Sequence, residues 1–425
     1  MTIQKEIQML HRRNKNLRVV SESGDPTDAI IDQIMTELNS EDNPVENMEE
    51  QIRQHKARFR RRIIIAVSAV VAAAVGIYLL IHLQTYTKAR VSDTYAIKGA
   101  GNNSYEEFAD GVLKYSRDGV SYLNHKGEEE WNQPYQIQNP SVDVCGDSAA
   151  LADKGGNSIM IFHKGGLKGE IHTTLPIEKI SVSGQGIVSA ILKNESSPKV
   201  ICYDTAGNVL VEIKASLSGS GYPVDVALSE NGEVMLVSYL YTQEGRVTSK
   251  AVYYNFGEAG EEKADHQVAS KEYEGTIFPS AFFMKGETSA VVGDDRLVVY
   301  KGLDEPKEQV DVEIEKEIKS VFHSEKYIGM VLKNEGKEGY ELRLYNTSGR
   351  QVMSKDFTGD YSQVKLCKSQ VIMYDGKKCT IFTRTGVRKF NGEMKSNILE
   401  MFPIAGVNKY IVMNADGMEV VRLVK

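Results

Sequence analysis

Ile201-Cys202-Tyr203-Asp204-Thr205-Ala206-Gly207-Asn208-Val209-Leu210-Val211-Glu212-Ile213 is the segment on which the reading of the fold turns. An apolar strand runs into a polar turn with a glycine, and a second apolar strand leaves it. The same unit recurs as YLNHKGEEEW from Tyr122, IFHKGGLKGEI from Ile161 and VYYNFGEAGEE from Val252. It returns as VVYKGLDEP from Val298, LRLYNTSGRQVM from Leu342 and CTIFTRTGVRKF from Cys379. The turn glycines Gly127, Gly166, Gly207, Gly257, Gly302, Gly349 and Gly386 are spaced by 39, 41, 50, 45, 47 and 37 residues. A period in the forties with about four short strands per period is the pattern of a β-propeller.

The remaining strands fit between these hairpins. Each unit opens on an apolar strand, as at Val142-Asp143-Val144, Ile180-Ser181-Val182, Val224-Asp225-Val226, Ile318 to Val321, Val364-Lys365-Leu366 and Ile398-Leu399. A second follows, as at Ile187 to Leu192, Val234 to Tyr239 and Tyr410 to Met413. The last unit runs out after Val424 with no fourth strand. The isolated run Tyr95-Ala96-Ile97 is expected to supply it and close the ring, removing an open sheet edge. This count predicts an all-β propeller of eight blades beginning near Tyr105, with seven as the runner-up.

The hairpin unit resembles the quinoprotein-like and WD-repeat-like propeller repeat, where an apolar strand leads to Asp, a Thr-Gly turn and a Trp. Tyr203 to Gly207 and Tyr345-Asn346-Thr347-Ser348-Gly349 carry that pattern, and only the first copy adds the Trp, Trp131. The scarcity of Trp implies that the blade-to-blade Trp docking of that family is missing, and quinone binding is not implied. The layout of short leader, one apolar span and propeller is similar to membrane-anchored propeller proteins of Gram-positive bacteria, a domain of unknown function. That resemblance implies no activity, cofactor or site residue.

The span is Ile63 to Leu83, twenty-one residues without a formal charge. As a helix it is about 30 Å long, the thickness of a bilayer core. Arg53, Lys56, Arg58, Arg60, Arg61 and Arg62 precede it, whereas only Lys88 and Arg90 follow closely. Cations stay on the cytoplasmic side, so the N-terminus is expected inside and the C-terminal part outside the cell membrane. The expected division is a cytoplasmic segment over 1–62, a transmembrane helix over 63–83, a tether over 84–94 and an extracellular propeller over 95–425. In the inner segment, Asp25-Pro26 and Asn43-Pro44 read as helix starts. The second helix is expected to run without a break into the span. Apolar stripes at Ile3 to Leu10 and Ile30 to Leu38 fit either a tail resting on lipid or a docking helix for a cytoplasmic partner.

The chain of 425 residues carries a net charge of −7, and residues 1–62 hold eleven basic and eleven acidic residues. The negative excess therefore lies beyond the span, which argues against a nucleic-acid partner. Cys145, Cys202, Cys367 and Cys379 lie in β-like runs without metal-ligand spacing and read as buried thiols without a bridge.

The search for chemistry finds mostly turns. Gly99 to Ser104 has a faint dinucleotide look but opens no helix. Ser218 to Gly221 reads as a loop between blades, and Asp294-Asp295 and Asn414 to Gly417 as tight turns. His125, His163, His172, His266 and His323 fall in different units or loops. No catalytic, cofactor-binding or metal-binding residue is assigned. Inner strands line a propeller's channel, so Asp143, Asp225, Lys319 and Lys365 are candidates to line it. Alternation would equally place them between blades. The expected role is a non-enzymatic binding module or scaffold for an envelope protein or glycan. A glycan hydrolase or lyase, and a regulator acting through residues 1–62, are the alternatives.

Overall fold

The computed structural model describes residues 30–31, 44–216, 219–359 and 361–425. They fall into two compact units, one ending at Leu80 and one beginning at Ile81. In the first, α1 (Pro44–His82) is one unbroken helix of 39 residues. Pro44 stands in its first turn, where a missing N–H leaves no bond unmade. The passage from charged to apolar helix is continuous, as its sequence implies. Within it, His55–Leu79 is long and apolar enough to cross a membrane, and holds an 18-residue stretch whose mean hydropathy is 2.3. Leu83 lies in the turn after the helix. The stripe at Ile3 to Leu10 and the Asp25-Pro26 start lie outside the described residues. So does the Ile30 to Leu38 stripe, apart from Ile30 and Ile31, which are helical and exposed.

In the second unit, thirty-two strands form eight four-stranded sheets among the described residues. Seven are antiparallel meanders in chain order. They run from β2 (Ser104–Phe108) to β5 (Glu129–Pro134), β6 (Pro140–Cys145) to β9 (Gly166–His172), and β10 (Ile177–Val182) to β13 (Val209–Lys214). They continue from β14 (Tyr222–Leu228) to β17 (Gln267–Glu274) and β18 (Ser280–Met284) to β21 (Lys307–Glu313). The last two span β22 (Ile318–His323) to β25 (Gln351–Phe357) and β26 (Gln363–Cys367) to β29 (Arg388–Glu393). The eighth sheet joins β30 (Glu400–Pro403), β31 (Lys409–Asn414) and β32 (Gly417–Val424) to β1 (Lys88–Ala96), which comes from the other end of the unit. First strands of neighbouring sheets touch at β6–β10, β10–β14, β14–β18, β22–β26 and β2–β30, and an apolar core is shared at each of the eight blade junctions, so the ring is closed. The molecule's second unit is an eight-bladed β-propeller.

Burial explains the pattern of the repeats. Each blade is covered on both faces by its neighbours. Every residue of the second strands β11 (Val188–Leu192) and β19 (Thr288–Val292) is therefore buried, and these strands carry only apolar side chains and small hydroxyls. Outer strands such as β13 and β21 alternate with solvent. The cores lie between blades: Ile159 and Ile161 of one pack with Val188, Ala190 and Leu192 of the next.

The ruler glycines all fall at the passage from third to fourth strand, six of them in the turn and Gly166 as the first residue of β9. Six of the seven have positive φ, and the exception, Gly257 at −89°, opens a longer connection built of two 3₁₀ turns. All eight sheets also carry a register shift between their third and fourth strands. In each, one extra residue bulges from the outer strand, as Leu210 does in β13 and Ser92 in β1. A bulge sharpens local twist. The closing strand thus reproduces the geometry of the other seven although it comes from the opposite end of the chain.

Tyr95 pairs with Met418 in that closing ladder, as expected, but the strand is longer than Tyr95 to Ile97. It begins at Lys88, so most of the stretch read as a tether is strand, while Ile97 lies just past its end. Ile398-Leu399 likewise precedes β30 rather than forming it. Trp131 corrects a further expectation. Its indole N–H donates to the Lys164 carbonyl of the next blade at 2.8 Å, and its ring stacks on Phe162 with centroids 5.3 Å apart. Trp docking therefore operates at the one junction that has the residue. All four cysteines are free, three of them buried and Cys145 half-buried.

Gly417 turns from β31 into β32 with φ of 146°, and a Cβ there would collide with the Tyr95 carbonyl oxygen of β1. Gly417→Ala is expected to cost about 2 kcal/mol, from backbone strain plus the displaced closing strand. Hydrogen exchange should show protection lost first in β1 and β32, with β14 to β17 keeping theirs. Gly245→Ala, at a positive-φ turn with open space around it, should cost about 1 kcal/mol and leave the closing ladder protected.

Candidate functional site

Asp143, Asp225, Lys319 and Lys365 all lie on first strands, the innermost of their blades. Two of them brace the ring. The Val182 N–H of β10 donates to Asp143 Oδ2 at 2.7 Å, and the Ala281 N–H of β18 donates to Asp225 Oδ2 at 2.9 Å. Between them, the Leu228 N–H of β14 donates to Ser181 Oγ at 3.1 Å. Each side chain reaches the backbone of the following blade, so β6, β10, β14 and β18 are stitched in succession. Lys179 adds an ion pair to Asp225 at 3.1 Å. Lys365 pairs with Glu400 of β30 at 2.7 Å, and Glu400 also accepts from the Tyr374 hydroxyl at 2.8 Å. Lys319 differs. It is the extra residue at a shift in β22, is exposed, and pairs with Glu317 in its own blade.

The electrostatics follow from this crowding. Burial raises Asp225 above the ordinary carboxylate range despite Lys179, and raises Glu106 of β2 despite Lys365. Burial alone would lower Lys365, but Glu400 beside it holds it raised. The other sequence candidates are structural. Asp294 accepts from the Ile277 N–H and Asp295 from the Thr276 hydroxyl, while Asn414 caps the turn to Gly417. Gly99 to Ser104 forms a 3₁₀ turn leading into β2, not the start of a helix. Gly219 to Gly221 lie in a loop before β14, and Ser218 lies outside the described residues. The five histidines belong to four blades. His323 stacks on Phe282 at 3.9 Å, and His163 sits 3.4 Å from the Ser148 hydroxyl. Among the described residues no three His, Cys, Asp or Glu side chains form a group fit to hold a metal ion.

A second polar site went unread in the sequence. One face of the ring carries the second-to-third strand turns and the connections between blades. On this connection face, the first two blades and the segment before β2 enclose an open cleft of about 840 Å³. Lys98, Lys114, Arg117 and Lys154 line it, with Asp118 as its one acid. Lys114 is tied to Glu129 at 3.3 Å. Lys98, Arg117 and Lys154 are exposed and make no ion pair among the described residues. The loops that present them are braced. The Ile137 N–H donates to the Arg117 carbonyl at 2.9 Å, the Tyr135 hydroxyl to the Ser116 carbonyl at 2.8 Å, and the Lys154 N–H to the Asn139 carbonyl at 2.9 Å. The Tyr105 hydroxyl donates to the Ala100 carbonyl at 2.9 Å and anchors the third loop. One signal was present in the sequence: Lys98 and Lys154 each directly precede a loop glycine, and Arg117 precedes Asp118-Gly119.

Fold and site together define an eight-bladed propeller with a braced inner ring and a cationic cleft on one face, preceded by one helix of membrane-spanning length. The chain belongs to the family of unknown function DUF5711, whose model matches residues 82–423, from the end of α1 into β32. No curated protein matches it. Among solved structures, BamB from Moraxella catarrhalis is similar over 79% of this chain and 100% of its own, at 11% identity and a TM-score of 0.48. Sqt1 from Saccharomyces cerevisiae is similar over 80% of this chain and 99% of its own, at 14% identity and a TM-score of 0.46.

Burial pushes Asp143 up to about 6, against the Val182 N–H that favours its ionised form. A carboxyl held above its unfolded value of about 3.9 keeps its proton more tightly in the native state. The stability it lends is full below pH ~4 and is lost as pH rises through about 6. Asp143→Asn should remove this slope, so the wild type loses about 1–2 kcal/mol relative to the variant across that window. Denaturant unfolding followed by the fluorescence of Trp131, the single tryptophan, measures it. Parallel pH curves would show that Asp143 is not the titrating brace.

Proposed function

We propose that this chain is a single-pass, membrane-anchored binding module. Helix α1 spans the bilayer with residues 1–62 on the cytoplasmic side, and the propeller presents its connection face outside the cell to an envelope protein or glycan. The observation that carries this reading is the cleft. Three unpaired cations on braced loops face solvent within one concavity of a chain whose net charge is −7. Like charges gathered without partners repel one another, and a ligand of opposite charge relieves that cost. The anchor is supported by the apolar length of α1 and by the six cations that precede the span.

The non-enzymatic reading is supported by what the inner acids do. Asp143, Asp225 and Glu400 accept bonds from backbone amides or from lysine, which is the work of a brace. The cytoplasmic segment would recruit or signal to a partner through the stripes before Pro44.

Topology and binding are tested together in intact cells. In a Cys145→Ser background, Lys154→Cys should react with a membrane-impermeant maleimide before lysis. Labelling only after lysis would reverse the orientation. A photo-crosslinking residue at Gln138 should capture an envelope component, and the same residue at Lys307 on the outer strand β21 should not. Equal capture at both positions would remove the connection face as the binding surface.

A further inference from the structure

We propose that the cleft on the connection face binds an anionic glycan, a chain of sugar units carrying carboxylate or phosphate groups. This rests on reading that face as the binding surface, and it names the ligand class. Lys98, Arg117 and Lys154 come from three separate loops around the cleft, so a ligand with repeated anionic groups can engage all three, one group to each loop. Arg117 offers a planar fork that suits carboxylate and phosphate alike.

The rest of the lining narrows the class. Asn102, Asn103, Gln138 and Asn139 also line the cleft, with Ser104 and Ser141. Amides and hydroxyls both donate and accept, which is what sugar hydroxyls require. An apolar peptide anchor would find little to bury there, and protein hot spots depend on such pockets. The lining holds no aromatic side chain, so a single-stranded nucleic acid would lack its stacking platform.

The loops are ready for such a ligand. Asn139 accepts from the Lys154 N–H through its carbonyl and donates to the Lys154 carbonyl from its side chain at 3.3 Å. Asn103 donates from its side chain to the Gly99 carbonyl at 2.6 Å. These bonds fix the loop backbones before a ligand arrives, which lowers the entropy lost on binding.

The experiment uses the full chain in phosphatidylcholine nanodiscs, titrated with oligogalacturonate, dextran phosphate and neutral dextran. One or both charged glycans should bind and the neutral one should not. The stronger of the two charged probes assigns the anion as carboxylate or phosphate. Combining Lys98→Gln, Arg117→Gln and Lys154→Gln should weaken binding by about tenfold or more, given three exposed ion pairs. A control combining Lys168→Gln, Lys214→Gln and Lys307→Gln changes the charge equally on outer strands and should stay within about twofold. Raising the salt from about 50 to about 300 mM should weaken binding several-fold. Equal binding of neutral dextran, or equal loss in both triple variants, overturns the proposal. If none of the three probes binds while Gln138 still crosslinks a partner in cells, the glycan assignment falls and the binding-face reading stands.

Discussion

The ladder between β1 and β32 is the constraint on which the rest of the ring depends. It runs from the Lys88–Val424 pair to the Ala96–Gly417 pair and completes the eighth blade. Every core in the propeller lies between two blades, so a ring left open would bare two apolar faces at once. At the junction of the first and last blades those faces hold Tyr105, Val112 and Leu123 on one side and Phe402, Ile411 and Met413 on the other. Their burial is worth several kcal/mol by area. It is secured by backbone bonds between the two ends of the chain, with the Ile97 N–H to the Asp416 carbonyl and the Thr87 N–H to the Val424 carbonyl just beyond the strands. Tyr86 joins the core of the last two blades, so the segment leaving α1 is built into the ring before β1 begins.

Once the ring is closed, polar residues on it serve two ends. Those on inner strands reach the next blade and hold spacing, as Asp143, Ser181 and Asp225 do. Their chemistry is absorbed by the fold, and the raised proton affinity of Asp143 and Asp225 is a side effect of crowding. Those on the loops of the connection face have no such duty. Lys98, Arg117 and Lys154 remain exposed, held on backbones that the fold has fixed. The same architecture therefore uses up the site that the sequence suggested and supplies one that it did not.

Much of the propeller was legible because its blades repeat. A buried second strand favours apolar residues along its length, and a third-to-fourth turn favours a residue tolerant of positive φ, so both leave marks at a steady interval. The eighth blade leaves no ruler glycine because its third and fourth strands, β32 and β1, are not consecutive in the chain. Most of β1 was hidden for another reason. Lys88 to Thr94 lies on an outer edge where only alternate residues need be apolar, and the bulge at Ser92 breaks even that alternation. The scarcity of Trp implies that blade-to-blade docking is missing, yet Trp131 docks on the next blade.

The amino-acid sequence by itself determined the length and apolarity of the span, the period of the repeat and the residue types on its strands, and it favoured eight blades over seven. These are local quantities, set by side-chain hydrophobicity and backbone freedom at single positions. Only the tertiary structure decided that Asp143 and Asp225 brace neighbouring blades, that β1 seals the ring from Lys88, and that three cations from three loops share one cleft. Those outcomes depend on distances between residues far apart in the chain, and closing the ring is what brings them together.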